Sequence, residues 1–428
     1  MNRSPRRPRE RARIVVAVML AAAILGSTLV GALGAVSASA AGDPTGGGLW
    51  YFTAPGLADI HKKTTGKGIS VAILDGPIDP ATPDLMGAKN LITHPDSFCD
   101  DNGDGVQEPG VSTDKAAEHA SGMAALITGT GAGKGGQPGV MGVAPSATVR
   151  HYAVTLNSDN PCNLDGSSGI APGIDQAVAD GAQIISISLS GDVGTGNLEA
   201  IAKAERAGVI VVAASNNRGG TNLGWPASAN GVVSVESADV NLQLNDEAVT
   251  SPLLSVVAPG EVIRRILWSD GHWDTYGFSN GSSDATAWTA GALALVWSAY
   301  PDASANQIIQ TLLRSTGKGG GQLNRDNSWG YGVVSIGGML KVDPATYPDV
   351  NPLLRKDASA KPAYTDVVPP APTSGATDAS GGGDKSGLSQ TLLIVGVGVL
   401  ILVILIGIAV AVVLTRRRRT TAASAPRK

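Results

Sequence analysis

The amino-acid sequence predicts an α/β fold, a three-layer sandwich with helices on both faces of a central parallel sheet. Short apolar runs such as ISVAILD, AQIISISLS and VIVVAAS alternate with helical patterns such as SGIAPGIDQAVADG and GNLEAIAKAERAG. Continuous apolar runs are typical of strands that are buried on both faces. Alternating strands and helices build layered α/β domains, so we expect this architecture between about residues 46 and 355.

The chain is long enough for one large domain and several accessory segments. It has 428 residues, whereas a single hydrophobic core usually serves about 250–300. The formal net charge is −4, which gives no indication of a nucleic-acid partner.

Residues 1–40 have the pattern of a secretory signal peptide. A basic start, MNRSPRRPRERAR, precedes the apolar run IVVAVMLAAAILGSTLVGALGAV and the small residues SASAAG. Ala38 and Ala40 match the A-x-A cleavage pattern, which predicts a cut directly after Ala40. The apolar run is longer than usual, so an uncleaved signal anchor is the alternative.

A second apolar run predicts a single transmembrane helix near the other end. Residues 391–414 contain no charged side chain, and at about 1.5 Å per residue they can cross a hydrocarbon core of about 30 Å. Four arginines at 416–419 follow, so the tail at 415–428 is expected in the cytoplasm and the domain on the outer face of the cell membrane. Residues 356–390 are rich in Pro, Ala, Ser and Gly, which predicts a flexible stalk.

Two cysteines, Cys99 and Cys162, occur in the whole chain. In an oxidising exterior, such a pair is expected to form a disulfide, with two separate thiols as the alternative.

Four polar residues stand where the predicted strands end or the helices begin. Asp75 ends a buried strand, Asn216 follows another, and His119 and Ser283 stand at the starts of helical runs. In parallel α/β sheets, binding and catalytic residues usually lie at the carboxyl ends of the strands. Each residue alone also has a structural interpretation: Asp75 as a metal or ribose ligand, His119 as a packing residue, Asn216 as a turn former, and Ser282 or Ser283 as a helix N-cap.

Taken together, the motifs around these residues resemble those of the subtilase family of serine peptidases. The segments are LDGPID, HASGMAA, AASN and GSSDATAWTAG, in the order Asp, His, Asn, Ser. GVMGVAPSA, VVAPGE and WGYGVVS also fit, so the resemblance covers about residues 48–345 of a domain placed at 41–355. It implies Ser283 as the nucleophile, His119 as general base and then acid, Asp75 as its orienting carboxylate, and Asn216 as an oxyanion donor.

The resemblance also implies a substrate-binding edge and an activity. Ser188, Leu189 and Ser190 are expected to line a bound polypeptide substrate, and Ser215 to lie near the first specificity pocket. We therefore expect a serine endopeptidase that hydrolyses peptide bonds through an acyl-enzyme on Ser283. The alternative is a membrane scaffold that docks a secretion complex. The short approach to the first strand, the stalk and the membrane segment also resemble mycosins, the membrane-anchored subtilases of type VII secretion.

Several residues depart from the family pattern near the predicted site, among them Asp284 and Gly122. Asp284 replaces an apolar neighbour of the nucleophile, and Gly122 replaces a second histidine in the His motif. Neither change removes a predicted catalytic group, so an active enzyme is expected.

A separate acidic loop, DDNGDGVQE, partly matches a calcium-binding pattern. Asp100, Asn102 and Asp104 have the spacing of the first half of such a loop, but Val111 stands where a bidentate glutamate is required. We expect no required cofactor and no metal at the catalytic site, with Ca²⁺ at this loop as the alternative.

Overall fold

The computed structural model describes residues 45–100, 102–156, 162, 169–194, 196–317 and 321–368. The predicted signal peptide, transmembrane helix and cytoplasmic tail, and the stalk beyond 368, lie outside these residues. Among the described residues, no helix combines the length and the apolar character needed to cross a membrane.

A seven-stranded parallel sheet forms the centre of the described domain. Its strands lie in the order β2-β3-β1-β4-β5-β6-β7, and every neighbouring pair is parallel. The strands are β1 (Ser70–Asp75), β2 (Leu91–Thr93), β3 (Thr148–Ala153), β4 (Ile184–Ile187), β5 (Ile210–Ala214), β6 (Val233–Ala238) and β7 (Val256–Pro259). The strands indicated by ISVAILD, AQIISISLS and VIVVAAS are confirmed as β1, β4 and β5, within one to three residues at most ends.

Helices cover both faces of this sheet. They are α1 (Trp50–Thr53), α2 (Leu57–Ile60), α3 (Glu118–Thr128), α4 (Ile170–Ala179), α5 (Asn197–Arg206), α6 (Ser282–Ala299), α7 (Ala305–Arg314), α8 (Ile336–Met339) and α9 (Tyr364–Val367). Short 3-10 turns occupy Lys115–Ala117 and Pro344–Thr346.

Alternate residues of the central strands β1, β4 and β5 face two separate hydrophobic cores. On β1, Val71 and Ile73 pack in the core that contains α3 and α6, whereas Ala72 and Leu74 pack in the core that contains α4 and α5. Because successive side chains of a strand point to opposite faces, a strand between two helical layers must be apolar throughout. The predicted three-layer sandwich is therefore confirmed.

One supersecondary element has no counterpart in the sequence prediction. The strands β8 (Ile263–Ser269) and β9 (His272–Ser279) form a two-stranded antiparallel hairpin directly before α6. Most of its side chains are partly exposed, so it lacks the continuous apolar pattern that indicated the parallel strands.

The folded domain extends beyond the boundary that composition indicated at residue 355. Ala360 and Val367 are buried, and Asn230 donates its backbone N–H to Lys361 O at 2.7 Å and its side-chain amide to Pro362 O at 3.2 Å. Residues 356–368 thus pack on the domain and are not part of a stalk. A few buried side chains and hydrogen bonds are enough to hold a segment whose composition is typical of linkers.

A disulfide joins Cys99 to Cys162, with the two Cα atoms 4.7 Å apart. The predicted bridge is confirmed.

Candidate active site

The carboxyl ends of three neighbouring strands form the edge on which the predicted residues meet. β1 lies beside β4, and β4 beside β5. These strands end at Asp75, Ile187 and Ala214, directly at or before the residues that the sequence singled out. The sheet order therefore brings Asp75 together with two segments that are more than a hundred residues away in the chain.

Asp75 and His119 are hydrogen-bonded to each other at this edge. His119 Nδ1 lies 2.8 Å from Asp75 Oδ1 and 3.0 Å from Oδ2. The Asp75 side chain is 2% exposed and that of His119 is 39% exposed. Asp75 Oδ1 also accepts the N–H of Gly76 at 2.7 Å. A carboxylate held in this way keeps the proton on Nδ1, which leaves the other ring nitrogen free to accept a proton.

Ser283 lies in the first turn of α6, the helix that begins at Ser282. The N-cap is Gly281, with φ 144°, so neither Ser282 nor Ser283 has the N-cap role that was their structural alternative. Ser283 is partly exposed, and its hydroxyl donates to Ser188 O at 3.1 Å, while Ser188 Oγ donates to Ser283 O at 2.9 Å. The first N–H groups of a helix have no acceptor within it, so this position favours a developing negative charge.

The predicted substrate-binding segment follows β4 directly. Ser188 is buried, Leu189 is partly exposed and Ser190 is exposed. Gly191 and Trp225 exchange two backbone hydrogen bonds, of 2.9 and 3.0 Å, which closes the loop after β5 onto this segment. The two hydrogen bonds between Ser188 and Ser283 place this segment beside the start of α6.

Ser215 has its hydroxyl directed into the interior. It is 1% exposed and donates to Glu236 Oε2 at 2.9 Å. Burial raises the pKa of Glu236, and hydrogen bonds from Val249, Ser237 and Ser215 oppose this shift. Ser215 thus contributes its backbone, and not its hydroxyl, to the surface near the site.

Two consecutive asparagines follow Ser215, and only the second contacts the start of α6. Asn216 donates its side-chain amide to Asn222 O and accepts Arg218 N–H at 2.8 Å, both within its own loop. Asn217 Oδ1 instead accepts the N–H of Ser282 at 3.0 Å and lies 2.9 Å from Ser282 Oγ. Its Nδ2 lies 3.0 Å from where a Cβ on Gly281 would stand. The run SNN contains both residues, and the motif alone indicated the first.

His151 lies on the strand next to that of Asp75, and no sequence motif indicated it. It belongs to β3, opposite Ile73 of β1, and is completely buried. Burial lowers the pKa of His151 to about 4, so its ring is neutral near pH 7 and donates Nε2–H to Gly76 O at 2.8 Å. This hydrogen bond holds Gly76, whose backbone N–H donates to Asp75 Oδ1.

Asp100 and Asn102 of the acidic loop accept hydrogen bonds from the loop's own backbone. Asp100 accepts the N–H groups of Gly103 and Gly105 at 2.7 and 2.8 Å, and Asn102 accepts that of Asp104 at 2.9 Å. These side-chain oxygens of Asp100 and Asn102 are therefore directed at the loop's own backbone. Among the described residues, no cluster of three or more His, Cys, Asp or Glu side chains is arranged to hold a metal ion.

Comparisons with known proteins identify the family of the chain. The model of the subtilase family matches residues 66–332. A thermostable alkaline protease of Halalkalibacterium halodurans is 32% identical over 275 residues, which cover 64% of this chain and 67% of that protein. Subtilisin DY of Bacillus licheniformis is 31% identical over 288 residues, which cover 65% of this chain and 91% of that protein.

Solved structures show the same fold at lower sequence identity. A protease of Pseudoalteromonas arctica has a TM-score of 0.57 at 23% identity, covering 70% of this chain and 98% of that one. Fervidolysin of Fervidobacterium pennivorans, a keratinolytic enzyme related to subtilisin, has a TM-score of 0.54 at 24% identity, covering 66% and 44%. The chain therefore belongs to the subtilase family and is a serine endopeptidase.

Proposed function

We propose that Ser283, His119 and Asp75 carry out the hydrolysis of peptide bonds in this chain. The observation that carries the proposal is the Asp75–His119 pair, with Nδ1 held at 2.8 Å, on the same sheet edge as Ser283 at the start of α6. A serine hydroxyl is a weak nucleophile until a neighbouring base removes its proton.

The reaction follows from these positions. Rotation of the Ser283 side chain turns its hydroxyl from Ser188 O towards His119 Nε2. As Oγ attacks the substrate carbonyl carbon, the hydroxyl proton moves to Nε2, and Asp75 stabilises the imidazolium. The tetrahedral intermediate collapses when His119 returns the proton to the leaving amine. Water, activated by the same imidazole, then attacks the acyl-enzyme and restores Ser283.

We assign the oxyanion amide to Asn217, and not to Asn216. Asn217 Oδ1 is fixed by Ser282 N–H at 3.0 Å, which leaves Nδ2 as a donor beside Gly281 and the first turn of α6. The amide of Asn216 is already directed at Asn222 O. A donor supports catalysis only if it is oriented before the charge develops, and Asn217 meets this condition.

We further propose that the enzyme acts on polypeptides on the outer face of the cell membrane. The signal pattern at 1–40, the apolar run at 391–414 and the arginines at 416–419 support this placement. The disulfide between Cys99 and Cys162 is typical of an oxidising compartment. The resemblance to mycosins, with secretion-complex proteins as partners, stays a prediction. The scaffold alternative is not favoured, since a scaffold needs no aligned carboxylate–imidazole pair.

Labelling with a fluorophosphonate probe tests the proposed nucleophile. The full-length chain, purified in a mild detergent, is expected to be labelled covalently and to cleave casein, while Ser283→Ala should show neither property. The matched control is Ser282→Ala, which should keep its label, since its hydroxyl donates to Ser215 O. Absence of labelling in a folded wild-type chain, or undiminished cleavage by Ser283→Ala, would contradict the proposal.

A pair of neighbouring variants tests the oxyanion assignment. Asn217→Ala is expected to lower kcat by about 10²–10³-fold, the usual loss for one oxyanion donor, with a smaller effect on KM. Asn216→Ala should lower kcat by less than about tenfold, through its loop alone. Peptide hydrolysis at saturating substrate measures both, and the reverse ranking would return the role to Asn216.

A further inference from the structure

An ion pair links the hairpin to the nucleophile helix directly beside Ser283. Arg265 Nη2 lies 3.0 Å from Asp284 Oδ1, and the two side chains are 11% and 2% exposed. Ser279, at the end of β9, donates its hydroxyl to the other oxygen, Asp284 Oδ2. The carboxylate that departs from the family pattern is thus fully partnered, and both partners come from the hairpin.

The second departure, Gly122, makes room for this pair. Gly122 belongs to α3, three residues after His119, so the two residues lie on the same side of that helix. A Cβ on Gly122 would stand 2.7 Å from Arg265 Nε and 3.2 Å from its Cδ and Cζ. A residue with any larger side chain would displace the arginine, so Gly122, Arg265 and Asp284 form one arrangement.

The hairpin also contacts the other two elements of the site. The backbone N–H of Trp268 donates to Glu118 Oε2 at 2.9 Å, and Glu118 is next to His119 in the chain. Trp273 Nε1 donates to Asp79 Oδ2 at 2.7 Å, in the turn that follows Asp75. The hairpin therefore contacts the Asp turn, the His helix and the Ser helix at the same time.

We propose that Arg265 is a positioning residue for peptide hydrolysis: its ion pair with Asp284, seated over Gly122, fixes α3 relative to α6 and so aligns His119 with Ser283. Proton transfer between a base and a nucleophile depends steeply on their separation, and a displacement of about 1 Å costs about 100-fold in rate. Arg265 also balances the charge of a carboxylate that is buried one residue from the nucleophile. The proposal rests on the catalytic roles proposed above for His119 and Ser283.

Steady-state kinetics with active-site titration tests this role in the full-length chain. Arg265→Met is expected to lower kcat per titrated site by about 100-fold, with KM changed by less than about threefold. Arg265→Lys, which keeps the charge without the planar fork, should recover about tenfold of this loss. Gly122→Ala should lower kcat by about tenfold, because its Cβ displaces Arg265; it and Arg265→Lys decide the question if Arg265→Met does not fold.

The matched control is an exposed ion pair away from the site, Lys203 with Asp175 at 2.7 Å. Lys203→Met should leave kcat and KM unchanged. If Arg265→Met and Gly122→Ala keep the wild-type kcat per titrated site while their melting temperatures fall, Arg265 is structural only and the proposal is overturned. A change confined to KM would overturn it as well. Failure of the probe to label the wild-type chain would instead contradict the proposed function itself.

Discussion

Two buried carboxyl groups of this chain, Asp75 and Glu205, are in opposite situations. Asp75, at the catalytic edge, accepts hydrogen bonds from His119 Nδ1 and from Gly76 N–H. Glu205, in α5, has both oxygens shielded from solvent and no hydrogen-bond partner among the described residues. One of these oxygens lies 2.1 Å from where a Cβ on Gly231 would stand, so it is pressed against the backbone before β6.

The two groups differ in the hydrogen-bond donors that reach their oxygens. Donors that point at carboxyl oxygens compensate for lost hydration, whereas burial without donors favours the neutral form of a carboxyl group. Burial alone raises the pKa of Glu205 well above its ordinary value. The proposed role of Asp75 needs a partner for His119, and Asp75 lies within hydrogen-bond distance of His119 Nδ1. Glu205 lies outside the proposed site and has no such requirement.

The largest effect is expected from replacing the partnered carboxylate. Asp75→Asn should lower kcat by about 10⁴-fold, because an amide no longer holds the proton on Nδ1 and the imidazole loses its correct tautomer. The measurement is peptide hydrolysis normalised to the folded fraction. Glu205→Gln serves as the matched control and should keep the wild-type kcat. If Asp75→Asn keeps more than a tenth of the wild-type rate, the two carboxyl groups do not differ as described.

A smaller effect, on stability, is expected from replacing the unpartnered carboxyl. The raised pKa of Glu205 means that its neutral form favours the folded state at acidic pH, and that this contribution is lost as pH rises through the folded-state pKa. Glu205→Gln should therefore raise the free energy of unfolding at pH 8, by about 1–3 kcal/mol, and change it much less at pH 4.

Denaturant unfolding at the two pH values measures this difference directly. The isosteric amide keeps the shape that fits against Gly231, so packing is not altered. An equal change in the free energy of unfolding at both pH values would show that Glu205 is not the titrating group.

The sequence predicted those parts of the fold whose patterns are local. A strand buried on both faces must be apolar throughout, so β1, β4 and β5 were recognisable from their residues alone. The hairpin β8–β9 was not, because its side chains are only partly buried and have no continuous pattern. The docking of residues 356–368 depends on contacts such as those of Asn230 with Lys361 and Pro362, which composition does not record.

The sequence by itself determined the family, the three proposed catalytic residues and the cysteine pair, since each is carried by residue type and spacing within a short segment. Only the tertiary structure decided which of Asn216 and Asn217 contacts α6, because a shift of one residue where a strand becomes a loop depends on the packing around it. The tertiary structure also showed that Gly122, Arg265 and Asp284 belong together. Arg265 is 143 residues from Gly122 in the chain (265 − 122), and a buried charge and the space it needs become related only when the hairpin closes over both helices.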